Sequence, residues 1–164
     1  MGHVNMAIID ELLMTFARSI SCKVAALNNF DLTSNQSARI RESISDDIKK
    51  CTNFITPEVS RAAHEEAVRL GVDLLSKNWH DQARFDPKRK TFHFEHVLPV
   101  SVIRDLCQAV KTENAIYDLL KTRLRVAWIL KSEDAELTRL GFRSKRADPE
   151  GAYRDAGIQL LRSR

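Results

Sequence analysis

An acidic residue and a histidine stand side by side at Glu95 and His96, and two further acidic residues follow at Glu133 and Asp134. Carboxylate oxygens suit hard divalent cations such as Mg²⁺ and Mn²⁺. An imidazole with an ordinary pKa of about 6.5 can accept a proton from water near neutral pH. A bound cation and an activated water are what cleavage of a phosphodiester requires. These residue types therefore point to metal-dependent hydrolysis of phosphate esters.

The segment that carries Glu95 and His96 has the alternation of a β-strand. Phe92 and Phe94 fall on one face, which we expect to be buried, whereas His93 and Glu95 fall on the other. Adjacent residues of a regular strand point to opposite faces. We therefore expect a β-bulge at Glu95 and His96, which would bring both side chains into one cleft.

After this strand the sequence predicts helices, a second strand and another helix. Ser101 is the expected cap of the first helix, and a further helix is expected over residues 112–120. The apolar run at residues 124–130 could pair as the second strand. Ser132 is then the expected cap of a helix that ends near Gly141.

The first half of the chain predicts three helices. Apolar residues return every three or four positions over residues 9–27, 40–51 and 59–74, which is the period of an amphipathic helix. One of the polar residues 33–35 is expected to cap the second helix. Pro57 is expected to begin the third, because proline at the first helical position loses no hydrogen bond.

The net charge of +4 is concentrated in the second half of the chain. Clustered lysines and arginines suit the phosphate backbone of a nucleic acid, although a solvated basic face explains a charge run by itself. Arg125 and Arg143 are candidates to bind an oxygen of the cleaved phosphate or of a neighbouring one. The residues that we expect to contact nucleic acid are Arg89, Arg125, Arg143, Lys145 and Arg146.

The composition, with 43% apolar and 29% charged residues, is typical of a globular protein. The three cysteines lie far apart and form no CxxC pair, so they indicate neither a zinc site nor a disulfide framework; we expect buried thiols. Asp10 and Glu11 interrupt the apolar stretch near the start, which excludes a membrane span or a secretory signal there. We expect a cytoplasmic protein that does not bind a membrane.

Residues 94–101 resemble the first motif of the HNH endonucleases, an acid followed by His-Ile/Val-Val-Pro-x-Ser, and residues 129–137 resemble the second. Residues 143–157 are similar to the tail of some restriction-enzyme-like or phage-associated members, so the resemblance covers residues 92–157. In that family a β-hairpin and a helix, the ββα-metal finger, hold one divalent cation between them.

The resemblance implies a role for each candidate residue. It makes His96 the general base and Glu95 a metal ligand, and it places Asp134 at the ligand position of the helix. Glutamate stands where the family has aspartate or histidine, and aspartate stands where asparagine or histidine is commoner. Glu136 or His93 therefore remains an alternative for the second ligand.

The sequence thus predicts an α+β protein, mostly helical, with a ββα-metal finger in its C-terminal half. Residues 1–80 would form a helical region for dimerisation or DNA docking, packed as one domain with a nuclease region at residues 81–164. The predicted function is a Mg²⁺- or Mn²⁺-dependent endonuclease that hydrolyses double-stranded DNA. A homodimer is a hypothesis, because cutting both strands together needs two sites. The alternative function is a non-catalytic helical regulator that binds nucleic acid.

Overall fold

The computed structural model describes residues 6–161, which form eight α-helices and four β-strands. The helices are α1 (Met6–Asn29), α2 (Ser34–Cys51), α3 (Arg61–Leu70), α4 (Gln82–Phe85), α5 (Val100–Val110), α6 (Glu113–Arg123), α7 (Lys131–Arg139) and α8 (Pro149–Asp155). The strands are β1 (Glu58–Ser60), β2 (Phe92–His96), β3 (Val126–Leu130) and β4 (Leu160–Leu161). The protein is therefore α+β and mostly helical, as predicted. Within the described residues, no helix has the length and apolar character needed to cross a membrane.

The described chain divides into two compact units. The first contains residues 6–54 and Val100–Leu124, and the second contains Ile55–Pro99 and residues 125–161. The expected boundary at residue 80 lies inside the second unit. The reason is that β1 pairs in parallel with β3, which joins residues before that boundary to the C-terminal half.

The first unit consists of α1, α2, α5 and α6. The predicted stripe of α2 is buried at Ile44, Ile48 and Cys51, whereas the predicted stripe of α1 is buried only at Ile20 and Val24 and the buried face also includes Leu13 and Ala17. Thr33 caps α2, because its hydroxyl accepts a hydrogen bond from the Gln36 amide while the Gln36 side chain accepts one from the Thr33 amide. Cys51 and Cys107 are buried, and burial raises the pKa of each thiol to about 12. Cys22 is exposed, contrary to expectation.

The second unit is built on a four-stranded sheet in the order β2-β3-β1-β4. β3 is antiparallel to β2 and parallel to β1, and β4 is antiparallel to β1. Apolar residues on one side of the sheet, among them Phe92, Phe94 and Trp128, pack with Ala63 and Ala67 of α3. A second cluster joins the sheet to α7 and α8; it contains Val97, Ala127, Ile129, Leu137, Tyr153 and Ile158.

The third predicted helix begins later than its sequence pattern indicated. Val59 lies in β1, where it pairs with Trp128 of β3, so the apolar spacing that suggested a helical turn belongs to a strand. Ser60 rather than Pro57 precedes the helix, and its hydroxyl accepts a hydrogen bond from the Ala63 amide. The predicted start of this helix was therefore wrong.

Two other expected caps lie inside helices. α5 already includes Ser101, since it begins at Val100. α7 begins at Lys131, so Ser132 is within its first turn, and the carboxylate of Glu133 accepts a hydrogen bond from the Leu130 amide instead. A longer acidic side chain three positions into the helix performs the capping that we had expected from serine.

Candidate metal centre

The strand β2, held in register by its pairing with β3, brings His93 and Glu95 to one face of the sheet. β2 pairs with β3 in continuous register, from Phe92 opposite Leu130 to His96 opposite Val126. Side chains alternate along such a strand, so His93 and Glu95 share a face. The Nε2 atom of His93 lies 2.9 Å from Oε2 of Glu95. The predicted strand and the shared face of these two residues are confirmed.

The helix that follows β3 supplies the third side chain of this cluster. α7 begins directly after β3, and its residue Asp134 places Oδ1 3.7 Å from Nε2 of His93. The neighbouring Glu133 is occupied elsewhere: it accepts hydrogen bonds from the Leu130 amide at 2.7 Å and from the Ser60 hydroxyl at 2.6 Å. Glu133 therefore fixes the start of the helix, and Asp134 faces the strand.

His93, Glu95 and Asp134 fit a divalent cation. Each offers one ligand atom, and the three atoms lie within 4.8 Å of one another. Ligand atoms that surround one cation at about 2.0–2.6 Å lie at most roughly 5 Å apart. All three residues are half-buried, so water retains access to the cluster. The two carboxylates match the oxygen preference of Mg²⁺ and Mn²⁺, and the imidazole is accepted more readily by Mn²⁺ than by Mg²⁺.

Glu136, which the sequence left open as a ligand, does not belong to this cluster. It lies on α7 and pairs with Arg139 at 2.6 Å. His93, the other alternative, lies at the centre together with Asp134.

A buried arginine holds Glu95 in place. The Arg146 side chain is 1% exposed, and its guanidinium donates hydrogen bonds to the Glu95 carboxylate, to the His96 carbonyl at 2.6 Å and to the Val97 carbonyl at 2.9 Å. The guanidinium carbon also lies 5.4 Å from the centre of the Tyr153 ring. Arg146 was expected to contact nucleic acid, but its burial makes that prediction wrong: its charge is used inside the protein.

The charge of Glu95 follows from these contacts. Burial by itself would raise the pKa of its carboxyl group, but the hydrogen bonds from His93 and Arg146 outweigh burial and hold the pKa below its ordinary value. Burial, with the nearby charge of Glu95, raises the pKa of the Tyr153 phenol. Glu95 is therefore an anion beside a neutral phenol at neutral pH, as a metal-binding carboxylate must be.

His96 does not join the cluster. Its pairing with Val126, followed by the hydrogen bond from the Val97 amide to the Arg125 carbonyl, continues the register without interruption. The expected bulge at Glu95 and His96 is absent, so alternation places the His96 side chain on the opposite face from Glu95. The bulge prediction was wrong because backbone pairing with β3 sets the register of this strand.

The other basic residues expected to contact nucleic acid differ in whether their charge is already paired with a carboxylate. Arg125 pairs with Glu58 at 2.5 Å and with Glu150 at 2.5 Å, and these hydrogen bonds raise its pKa. Its guanidinium therefore already has two carboxylate partners. Arg143 and Lys145 are exposed and belong to no ion pair formed by residues 6–161.

The sequence motifs did not indicate the roles of two residues at the centre. Lys131, at the start of α7, places Nζ 3.4 Å from Nδ1 of His93, and Arg146 anchors Glu95 from a distant part of the chain. The alternation of β2 was the signal for His93. No local pattern marks Arg146 as a buried residue rather than as part of a basic surface.

Comparisons with known proteins give no significant match to this chain among family models, curated proteins or solved structures. The resemblance to HNH endonucleases consequently rests on the motif residues themselves.

Proposed function

We propose that this protein is a metal-dependent endonuclease of the HNH type that hydrolyses phosphodiester bonds in DNA. The supporting observation is the convergence of His93 and Glu95 from a strand and Asp134 from a helix on one point. β2 carries His93 and Glu95, and α7, which follows the antiparallel partner strand β3, carries Asp134. A strand pair followed by a helix is also the core of the ββα-metal finger that the resemblance implies, although α5 and α6 separate β2 from β3 where that finger has a hairpin. Mg²⁺ or Mn²⁺ is the proposed cofactor.

The cation would supply positive charge to the phosphate in the transition state and would activate a water molecule. The protein residues prepare for this by fixing charge and geometry. Arg146 restrains the Glu95 carboxylate, and Glu133 fixes the first turn of the helix that carries Asp134. Because these contacts exist before substrate arrives, little reorganisation is needed when a phosphate binds.

The proposal assigns His93 to the metal centre and differs there from the roles that the motif resemblance implies. The resemblance makes His96 the general base, and that role remains a prediction. The side chain of His96 would have to leave its present face of β2 to reach a water beside Glu95. His93 already faces both carboxylates.

DNA is the proposed substrate because positive charge lies beside the centre. The Lys131 ammonium is close to His93, and the exposed side chains of Arg143 and Lys145 add charge in the same unit. A homodimer, which would present two centres to a duplex, is part of the proposal. Sedimentation equilibrium that gives a single monomer mass at working concentrations would contradict the dimer while leaving the nuclease activity open.

Cleavage of supercoiled plasmid DNA tests the proposed function. The wild-type protein should nick or linearise the plasmid with Mn²⁺ or Mg²⁺ but not with EDTA. His93→Ala and Asp134→Asn should each lose at least about 100-fold in rate, because removal of a catalytic group typically costs that much. His64→Ala is the matched control, since His64 is an exposed histidine of α3 outside the cluster, and it should cut normally.

Two results would contradict the proposal. One is a wild-type protein that cuts no DNA with any divalent cation, and the other is cleavage that survives both substitutions. A protein that binds DNA equally well with EDTA and never cuts it would instead match the non-catalytic regulator.

A further inference from the structure

A strained turn of basic residues leads into β2. Lys88 and Arg89 have φ angles of 62° and 51°, and Lys90 follows them directly. Left-handed φ values are unusual for residues other than glycine. Within residues 6–161, Lys111 is the only other non-glycine residue with positive φ. Strained backbone of this kind persists where the surrounding structure enforces it, and it is concentrated at binding sites.

A buried carboxylate enforces this conformation. Asp86 is 3% exposed and accepts hydrogen bonds from the amides of Lys90 at 3.1 Å, Thr91 at 3.1 Å and Phe92 at 2.9 Å. The side-chain amide of Gln82, which is also buried, donates to the same carboxylate at 3.1 Å. The Asp86 carboxylate thus binds backbone amides of the turn. Within the described residues it forms no ion pair with the basic side chains that follow it.

The side chains of this turn present unpaired positive charge. Lys88 and Lys90 are exposed, and neither they nor Arg89 belong to any ion pair formed by the described part of the chain. The guanidinium of Arg89 lies 3.9 Å from the centre of the Trp79 ring. Trp79 is itself 45% exposed. A planar cation stacked on an exposed indole combines charge with an aromatic surface, as nucleic-acid-binding proteins do.

The turn is directly connected to the candidate metal centre. The carbonyl of Thr91, which follows Lys90, accepts a hydrogen bond from the Lys131 amide at 2.9 Å. Lys131 then places its ammonium 3.4 Å from the ring of His93. Exposed lysines therefore lie both on the turn and beside the metal cluster, and the backbone hydrogen bond between Thr91 and Lys131 connects the two places.

We propose that the basic turn, residues 86–90 together with Trp79, is a docking surface for the phosphate backbone of a nucleic acid that enters the metal centre. This inference rests on the proposed function for its choice of substrate. Lys88 and Lys90 contact phosphates, and the stacked pair of Arg89 and Trp79 covers the sugar and base edge beside them. The buried Asp86 carboxylate keeps the turn in its strained shape, so the cations are positioned before the nucleic acid binds.

Binding of a labelled DNA duplex to the full chain in EDTA tests this surface without requiring cleavage. The double variant Lys88→Asn/Lys90→Gln removes two charges, and asparagine tolerates the left-handed conformation at position 88. We expect affinity to fall by roughly tenfold or more in 0.1 M salt, and the salt dependence, log K against log salt, to become shallower by about 2. Lys49→Gln/Lys50→Gln changes the net charge equally in α2 and should leave both quantities unchanged. Lys88→Arg/Lys90→Arg should keep the affinity.

Tryptophan fluorescence gives a second measurement at the same surface. The protein has two tryptophans, and Trp128 is fully buried, so acrylamide quenching reports on Trp79. Bound DNA should protect the fluorescence from acrylamide in the wild type, and Trp79→Phe should remove the acrylamide-sensitive signal. The inference would be overturned if Lys88→Asn/Lys90→Gln and Lys49→Gln/Lys50→Gln weakened DNA binding equally. It would also be overturned if bound DNA left Trp79 open to acrylamide. Weakened binding by the Lys88/Lys90 double in a protein that never cuts DNA would support the surface while refuting the nuclease.

Discussion

His93 and Glu95 lie two residues apart on one face of β2, with the Nε2 atom of His93 2.9 Å from the Glu95 carboxylate. This pair, rather than the adjacent Glu95 and His96, meets Asp134 of α7. The regular pairing of β2 with β3 decides between the two histidines, because alternation gives neighbouring residues opposite directions.

The two histidines should therefore differ in their effect on cation affinity. His93→Ala should weaken Mn²⁺ binding by more than about 100-fold, because the loss of a residue that only supports a metal ligand can already cost that much. His96→Ala should change the affinity less than about threefold, within the spread expected of a residue outside the cluster. Isothermal titration calorimetry measures both. Equal loss in the two variants would show that a bulged form of β2 binds the cation.

The imidazole of His93 should also determine which cation supports the highest rate. A nitrogen ligand suits Mn²⁺ better than Mg²⁺, which prefers oxygen. Initial rates of plasmid cleavage at equal concentrations should therefore be higher with Mn²⁺. His93→Asp replaces the nitrogen by oxygen and should shift the preference towards Mg²⁺. The ligand assignment fails if the wild type prefers Mg²⁺ and His93→Asp leaves the ratio unchanged.

Arg146 should be a large contributor to stability. Arg146→Met leaves the buried Glu95 carboxylate without its cation, and the loss of one partner of a buried pair costs about 3–5 kcal/mol. Arg143, three residues earlier, is exposed. Arg143→Met should change the free energy of unfolding by less than about 0.5 kcal/mol. Urea denaturation of the two variants makes the comparison, and similar small effects would contradict the buried anchor.

Asp86 should make stability depend on pH. Burial tends to raise the pKa of its carboxyl group, but hydrogen bonds from the amides of Phe92 and Thr91 and from Gln82 hold the pKa below the ordinary 3.8. Because the pKa is lower in the folded state, this stabilisation is fully present above the ordinary value. It is lost as pH falls through the folded-state pKa.

Asp86→Asn should accordingly cost about 2 kcal/mol near pH 7, as expected for the loss of hydrogen bonds to a charged group. Its difference from the wild type should shrink below about pH 4. Asp155→Asn, an exposed substitution in α8, is the control and should change stability little across the range. Urea unfolding from pH 7 to pH 3 tests this, and a difference that is constant with pH would contradict the charged role of Asp86.

Local sequence patterns predicted the elements that repeat a simple period. The helical periods of α1 and α2, a cap among residues 33–35, and the alternation of Phe92 and Phe94 in β2 depend on neighbours within a few residues. These features appear directly in the order of residue types, and the structure confirms them.

Features that depend on distant partners were not predictable in this way. β1 has three residues, too few for its alternation to stand out from a helical stripe, and it is a strand because β3 pairs with it. The absence of a bulge in β2 is likewise set by β3. Arg146 looks like part of a basic run until its three acceptors, Glu95 and the carbonyls of His96 and Val97, are brought to it by folding.

A crystal structure of the wild-type protein soaked with Mn²⁺, with the cation located by its anomalous scattering, tests the metal centre most directly. The account predicts one strong peak within about 2.4 Å of a His93 ring nitrogen and of carboxylate oxygens of Glu95 and Asp134. A peak that includes His96 and excludes His93, or the absence of a peak among these three side chains at saturating Mn²⁺, would contradict it.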